Sequence, residues 1–168
     1  MQKEISGHFA DSNLAVLIVW VPMVPTDSER AARREARLLD DPRVHHFYDP
    51  QKALGRAFAT DVFVGCIDQA LQTLPAADRL RERLEAWSQL PPHERIVWDA
   101  FFVYPKEVVW EDCVPVPSRW AKQVEFRQVE PLERSTGTFW MDDCAKPPHK
   151  SDWFTIVRTL TDESLSGS

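Results

Sequence analysis

The sequence has no CxxC pair and no paired zinc knuckle. Its three cysteines, Cys66, Cys113 and Cys144, stand far apart. An odd, scattered set with no export signal reads as reduced thiols rather than as a disulfide framework. There is no G-x-G-x-x-G loop, no Walker loop and no G-x-S-x-G elbow. Rossmann-type nicotinamide chemistry, phosphate-cradling chemistry and serine hydrolysis of the elbow type are therefore disfavoured. No apolar run approaches the ~20 residues that a membrane-spanning helix needs. The start, MQKEISGHFADSN, carries no apolar h-region, so no signal peptide and a cytoplasmic location are expected. Excess positive charge is also lacking. The formal net charge is −6, which disfavours nucleic acid as a partner. Arg30, Arg33, Arg34 and Arg37 interleave with Glu29, Glu35 and Asp40, the pattern of a solvated helix face. Glycine is scarce (five) against thirteen prolines, so the loops are expected to be stiff.

What is present suits one α/β domain of 168 residues with a sizeable core, 43% of its residues being hydrophobic. Leu14–Val19, followed by Trp20, reads as a central strand covered on both faces. Pro22 and Pro25 end it. Thr26 to Glu29 fits a capping box for a helix running to about Leu39, with Ala32, Ala36 and Leu39 inside and Asp40-Asp41-Pro42 as its stop. Val44–Tyr48 is a second strand, with Val44, His46 and Tyr48 on one face and His45 and Phe47 on the other. Asp49-Pro50 then starts a second helix. This β-α-β-α order predicts a parallel strand pair.

Downstream, the stripes Phe63, Ile67, Ala70, Leu74 and Leu80, Leu84, Trp87, separated by Pro75, predict an αα-hairpin over 61–90. Cys66 lies beside the first stripe, as a packed free thiol would. Ile96–Tyr104 reads as a strand, Val108–Trp110 as its antiparallel return, and Ser118 as the cap of a short helix carrying Trp120, Ala121 and Val124. A C-terminal extension over 130–168 contains two apolar docking segments, Phe139-Trp140 and Trp153–Val157. Residues 1–12 are expected to form a loose arm or at most a short edge element, and Ser164–Ser168 a disordered tail.

The order strand, turn, helix, strand, helix, hairpin resembles the thioredoxin fold. The likeness spans roughly Leu14 to Val124, with 61–90 as an enlarged helical region. It implies a central mixed sheet flanked by helices. In that family a strand ends in Trp and leads into two cysteines two residues apart, then a helix. Here Trp20 leads into Val21-Pro22-Met23-Val24, with valines where the cysteines would stand. The resemblance thus implies a degenerate member without thiol–disulfide exchange, which needs an activated thiolate and a resolving thiol. The sequence is also similar to bacterial proteins of unknown function that pair a W-V-P-x turn with later D-P-R-V and W-D strands.

The expected role is a binding or interaction module, with an unidentified protein or small molecule as its partner, no cofactor and no membrane. Trp20, Pro22, Asp27 and Asp99 are the candidate contact residues. Asp99, inside an apolar strand, would be costly unless paired. Arg33, Arg43 and Arg56 are possible partners, and a pocket shared with Trp20 and Asp27 at the strand ends is the functional alternative. A thiol- or metal-dependent protein using Cys144 and His149, with Asp142, Asp143, Asp152 and perhaps Cys113 nearby, is the second hypothesis, although four organised ligands are not evident. His45 and His46 point to opposite strand faces and cannot share one metal. A homodimer through exposed tryptophans is a third reading.

Overall fold

The structure, a computed structural model, describes residues 14–39, 41–124, 139–141, 149–150 and 152–166. It is mixed α/β, and the chain divides between Leu54 and Gly55 into two compact units. The expected arm at 1–12, Asp40 of the helix stop and the last two tail residues lie outside the described residues.

In the first unit, β1 (Val16–Trp20) pairs in parallel with β2 (Val44–Tyr48), in the register Ile18 to His46 and Trp20 to Tyr48. The pairing joins two β-branched and aromatic strands through a helical connection, as parallel strands require. That helix, α1, spans Glu29–Ala36 and packs on β2. Its cap is Ser28, whose Oγ accepts from the Ala31 N–H at 3.2 Å, and not Thr26. Thr26 falls in the preceding turn, because the Asp27 carboxylate closes that turn instead. The helix ends three residues before Leu39, although Ala32 and Leu39 are buried as expected.

Among the described residues of this unit, α1 covers one face of the sheet. Leu17 is 63% and Phe47 54% exposed, which corrects the expectation of a strand buried on both sides. Asp49 still serves the next helix, its carboxylate accepting from the Leu54 N–H at 2.9 Å. A turn ending in left-handed Lys52 (φ 57°) delays the first helical residue to Ala53.

The second unit begins in α2 (Ala53–Phe58), which continues through a π-helical turn (Ala59–Phe63) into α3 (Val64–Thr73). After Pro75, α4 (Arg79–Ser88) completes the expected helical hairpin. Two arginines satisfy its helix ends, where backbone carbonyls lack helical partners. Arg81 donates to the carbonyls of Leu71 and Leu74, and Arg95 to those of Ser88 and Leu90.

A four-stranded antiparallel sheet follows, in sequential order: β3 (Ala100–Val103), β4 (Arg119–Val124), β5 (Phe139–Met141) and β6 (His149–Lys150). The described strands therefore form two sheets where one central mixed sheet was expected. The final helix, α5 (Trp153–Ser166), docks Ile156 and Leu160 on Ala121, Phe101 and Val103. It turns Ser164–Ser166 of the expected tail into helix.

The 100–124 region departs most from the sequence reading. Val108–Trp110 is not a return strand. The Trp110 ring instead packs edge-on against Phe58 at 5.9 Å and Tyr104 at 5.4 Å. Ser118 caps no helix: its N–H and Oγ–H both donate to the Val103 carbonyl and close a wide hairpin. Arg119–Val124 is thus a strand, whose Trp120 meets Phe63 edge-on at 4.7 Å. Phe63, stacked neighbours Phe58 and Phe102 (3.8 Å), and Trp120 form an aromatic core in which edge-to-face contacts add to area burial.

Two predictions follow from this packing. Gly55 is buried against residues 96–97, and a Cβ there would lie 2.7 Å from the Val97 carbonyl oxygen and 2.8 Å from Ile96 Cγ2. Gly55→Ala is expected to destabilise the chain by about 1–3 kcal/mol in chemical denaturation, the usual range for overpacking; an unchanged midpoint would contradict the packing. Burial raises the Tyr104 phenol from 10.0 to about 12. The fold favours its neutral form, so this stabilisation is complete below the unfolded value and is lost as pH rises through the folded one. Alkaline ultraviolet titration should show a tyrosinate step near that upper value that Tyr104→Phe removes.

Candidate functional site

At the C-terminal ends of β1 and β2 lies a cavity of about 240 Å³. Trp20, His46, Phe47 and Tyr48 supply its sheet wall. Glu29, Ala32, Arg33 and Ala36 supply its helix wall. The alternation of β2 puts His46 and Tyr48 on the face toward α1, and the small side chains of Ala32 and Ala36 leave the space open. Carboxyl ends of strands are where open α/β sheets bind ligands.

Trp20 and His46 are bound to each other. The indole Nε1–H donates to His46 Nδ1 at 3.2 Å, with the rings stacked at 6.1 Å between centroids. An indole nitrogen can only donate, so His46 Nδ1 must present a lone pair. A neutral imidazole then carries its proton on Nε2. That atom is buried and has no hydrogen-bond partner among the described residues, an exception to the usual satisfaction of buried polar groups. Across the cavity, Arg33 Nε and Nη2 both donate to Glu29 Oε1, at 3.0 and 2.5 Å. Both side chains are more than half exposed.

The other sequence candidates are placed as follows. Trp20 lines the cavity; Pro22 and Asp27 do not, though both belong to the turn that follows β1. Asp27 Oδ2 accepts from the Met23 and Val24 N–H groups at 2.8 and 2.9 Å, so its carboxylate shapes the Trp20-to-helix connection. Asp99 belongs to the second unit and is exposed, which corrects the expectation of a buried strand carboxylate. Its backbone is left-handed (φ 48°), a conformation that Asp tolerates better than most residues, and its carbonyl accepts from the Gln123 N–H at 2.8 Å. Of its proposed partners, Arg33 pairs with Glu29 and Arg43 with Asp41, whose hydrogen bond raises the guanidinium above its ordinary value.

Cys66 is disulfide-bonded, which corrects the reading of a packed free thiol; Cys113 is free and exposed. Asp142, Asp143 and Cys144, and the side chain of His149, lie outside the described residues. Asp152 accepts from the N–H and Oγ–H of Thr155 at the start of α5. No group of three His, Cys, Asp or Glu side chains suited to a metal occurs among the described residues. Nor is any described helix long and apolar enough to cross a membrane.

His46 is the residue that sequence reasoning undervalued. Its partnership with Trp20 spans 26 positions and depends on strand register. One signal was legible: His46 shares the covered face of β2 with Val44 and Tyr48.

Removing the Asp27 carboxylate leaves two turn N–H groups without their acceptor. Asp27→Ala is expected to lower stability by about 1 kcal/mol in urea unfolding, with Asp27→Asn, whose amide oxygen still accepts, recovering most of it; equal midpoints for all three proteins would rule out this bracing role.

No protein-family model, no curated protein and no solved structure matches this chain.

Proposed function

We propose that this protein is a binding module without thiol–disulfide exchange activity, built around a thioredoxin-like β-α-β element. It recognises its partner through the cavity beside Trp20 and the turn Val21–Pro25. The observation that carries this reading is the junction between β1 and α1. A half-open hollow of about 240 Å³ lies at the strand ends, and the adjoining turn holds Val21-Pro22-Met23-Val24 and no nucleophilic sulfur. The parallel β1–β2 pair joined through α1 supports the likeness to a thioredoxin half. The exposed Leu17 and Phe47 give the same two strands an apolar outer face on which a protein partner, including a second copy, could settle.

Residence in the cytoplasm belongs to this reading. The disulfide at Cys66 weighs against it, since such bonds persist mainly in oxidising compartments.

The test is reduction of insulin disulfides with dithiothreitol as recycling reductant. The protein should leave the rate at the background of the reductant alone. Turnover above that background would contradict the reading, and its loss in Cys113→Ser would trace it to the exposed thiol.

A further inference from the structure

The first strand is more apolar than its surroundings require. β1 reads Val-Leu-Ile-Val-Trp, yet none of its five residues is buried, and Leu17 is 63% exposed. Its hydrogen bonds to β2 come from alternate residues, as in any parallel pair. The Val16 N–H donates to the Arg43 carbonyl at 2.8 Å, and the Trp20 carbonyl accepts from the Asp49 N–H at 2.9 Å. Val16, Ile18 and Trp20 therefore turn their backbone groups toward β2, while Leu17 and Val19 turn theirs away. Among the described residues nothing meets those outward N–H and C=O groups. The far edge of β2 is less open: the Asp41 carbonyl takes the Val44 N–H at 2.9 Å, and His45 and His46 interrupt the apolar run. Open edges are ordinarily guarded by charged side chains, proline or a bulge. β1 holds no charged residue, and Pro22 stands beyond its end.

We infer that β1 pairs with β1 of a second copy of this chain, antiparallel and about a two-fold axis at Ile18. The outward groups restrict the register. Residues that exchange both hydrogen bonds in an antiparallel pair must each face the other strand. Leu17 then stands opposite Val19 of the second copy, and Val19 opposite its Leu17. A register centred on Ile18 engages both outward residues within the strand, and brings the two Ile18 residues together as the non-hydrogen-bonded pair, about 4.5 Å apart at Cα. Composition selects a copy as the occupant. Leu17 and Val19 share one face and Val16, Ile18 and Trp20 the other, so the neighbouring strand needs apolar side chains on both faces and no charge. β1 itself meets that requirement, and the contact is isologous, each copy offering the same edge. The product is a continuous sheet in the order β2-β1-β1-β2. A lone two-stranded sheet is marginal in water, and three or more strands remove that weakness. This inference rests on the binding-module reading and names a second copy as the partner of its strands.

The test is sedimentation of the full chain across concentration, joined to amide exchange followed in ¹H–¹⁵N spectra. The shared edge is short, which places it among weak interfaces of under about 1,000 Å², so the series should run from about 10 µM to about 1 mM. Dimer should accumulate toward the upper end. The Leu17 and Val19 amides should exchange fast in dilute protein and become protected as dimer forms, while Ile18 and Trp20, bonded to β2, stay protected throughout. Leu17→Lys puts a charge into the apolar contact without touching a hydrogen bond to β2, and should raise the dissociation constant about tenfold or more. Leu17→Pro removes an outward donor that β2 does not use, and should act in the same direction. Leu38→Lys, at an exposed position outside the sheet, should dimerise as the wild type does. Three results would each overturn the assignment: monomer at every concentration, a dimer in which Leu17 and Val19 still exchange fast, or protection of these two amides in the dilute monomer. The wild-type readings decide even where Leu17→Pro fails to fold. Monomer with insulin reduction at background would remove the pairing and leave the non-redox module standing, whereas reductase activity in a protein that dimerises as described would remove the module and leave the pairing.

Discussion

The hydrogen bond from Trp20 Nε1 to His46 Nδ1 is the constraint on which the candidate site depends. It links the last residue of β1 to the covered face of β2. It also dictates the chemistry of the histidine, because an indole offers a proton and never a lone pair. The register of the parallel pair brings the two side chains together: Ile18 lies opposite His46, so Trp20 is one diagonal step away on the same face. The small residues of α1 then decide that the space above the rings is a cavity. Longer side chains at Ala32 and Ala36 would occupy that space.

The approach to this site is built from backbone chemistry. The Trp20 carbonyl accepts from the Asp49 N–H at 2.9 Å, which holds the two strand ends together. Asp27 gathers the Met23 and Val24 N–H groups, and Ser28 then caps α1. Two consecutive polar side chains, Asp27 and Ser28, thus turn the chain from strand to helix in eight residues, in a stretch where Pro22 and Pro25 donate no hydrogen bonds. The second unit relies on a different principle. Its core is aromatic, with Phe58 against Phe102, Phe102 against Phe63 and Phe63 against Trp120, and the long 104–118 connection is tied down by side chains at both its ends and beyond it. Tyr104 donates to the Pro115 carbonyl, and Asp61, carried on the π-helical turn, accepts from the Val114 N–H.

Local pattern revealed the elements whose partners are close in sequence. Val44–Tyr48 was readable to the residue, because alternation on a strand is a period-two signal. The helical hairpin was readable from two stripes around Pro75. The 104–124 region was not, because Val108–Trp110 has strand composition while Trp110 is claimed by Phe58, roughly half a unit away along the chain. Trp120 and Ala121 suit either state by propensity, and pairing with β3 chose the strand. Asp99 misled for a related reason. It sits in an apolar run, but the run contains an irregular stretch before Ala100, and a left-handed residue there faces solvent. Of the candidate site, Trp20 was legible as the end of an apolar strand. His46 was not, since an unsatisfied nitrogen is a property of three-dimensional surroundings, and the bonded state of Cys66 is equally non-local.

The central claim is that Trp20 fixes the proton of His46 on Nε2, an atom the fold buries. Long-range ¹H–¹⁵N correlation of the imidazole rings reads that proton directly, with His46 assigned by its loss in His46→Phe. The account expects His46 as the Nε2–H tautomer in the wild-type protein, and a mixture of tautomers once Trp20→Phe withdraws the indole donor. A proton on Nδ1 in the wild type, or a spectrum indifferent to Trp20→Phe, would contradict it.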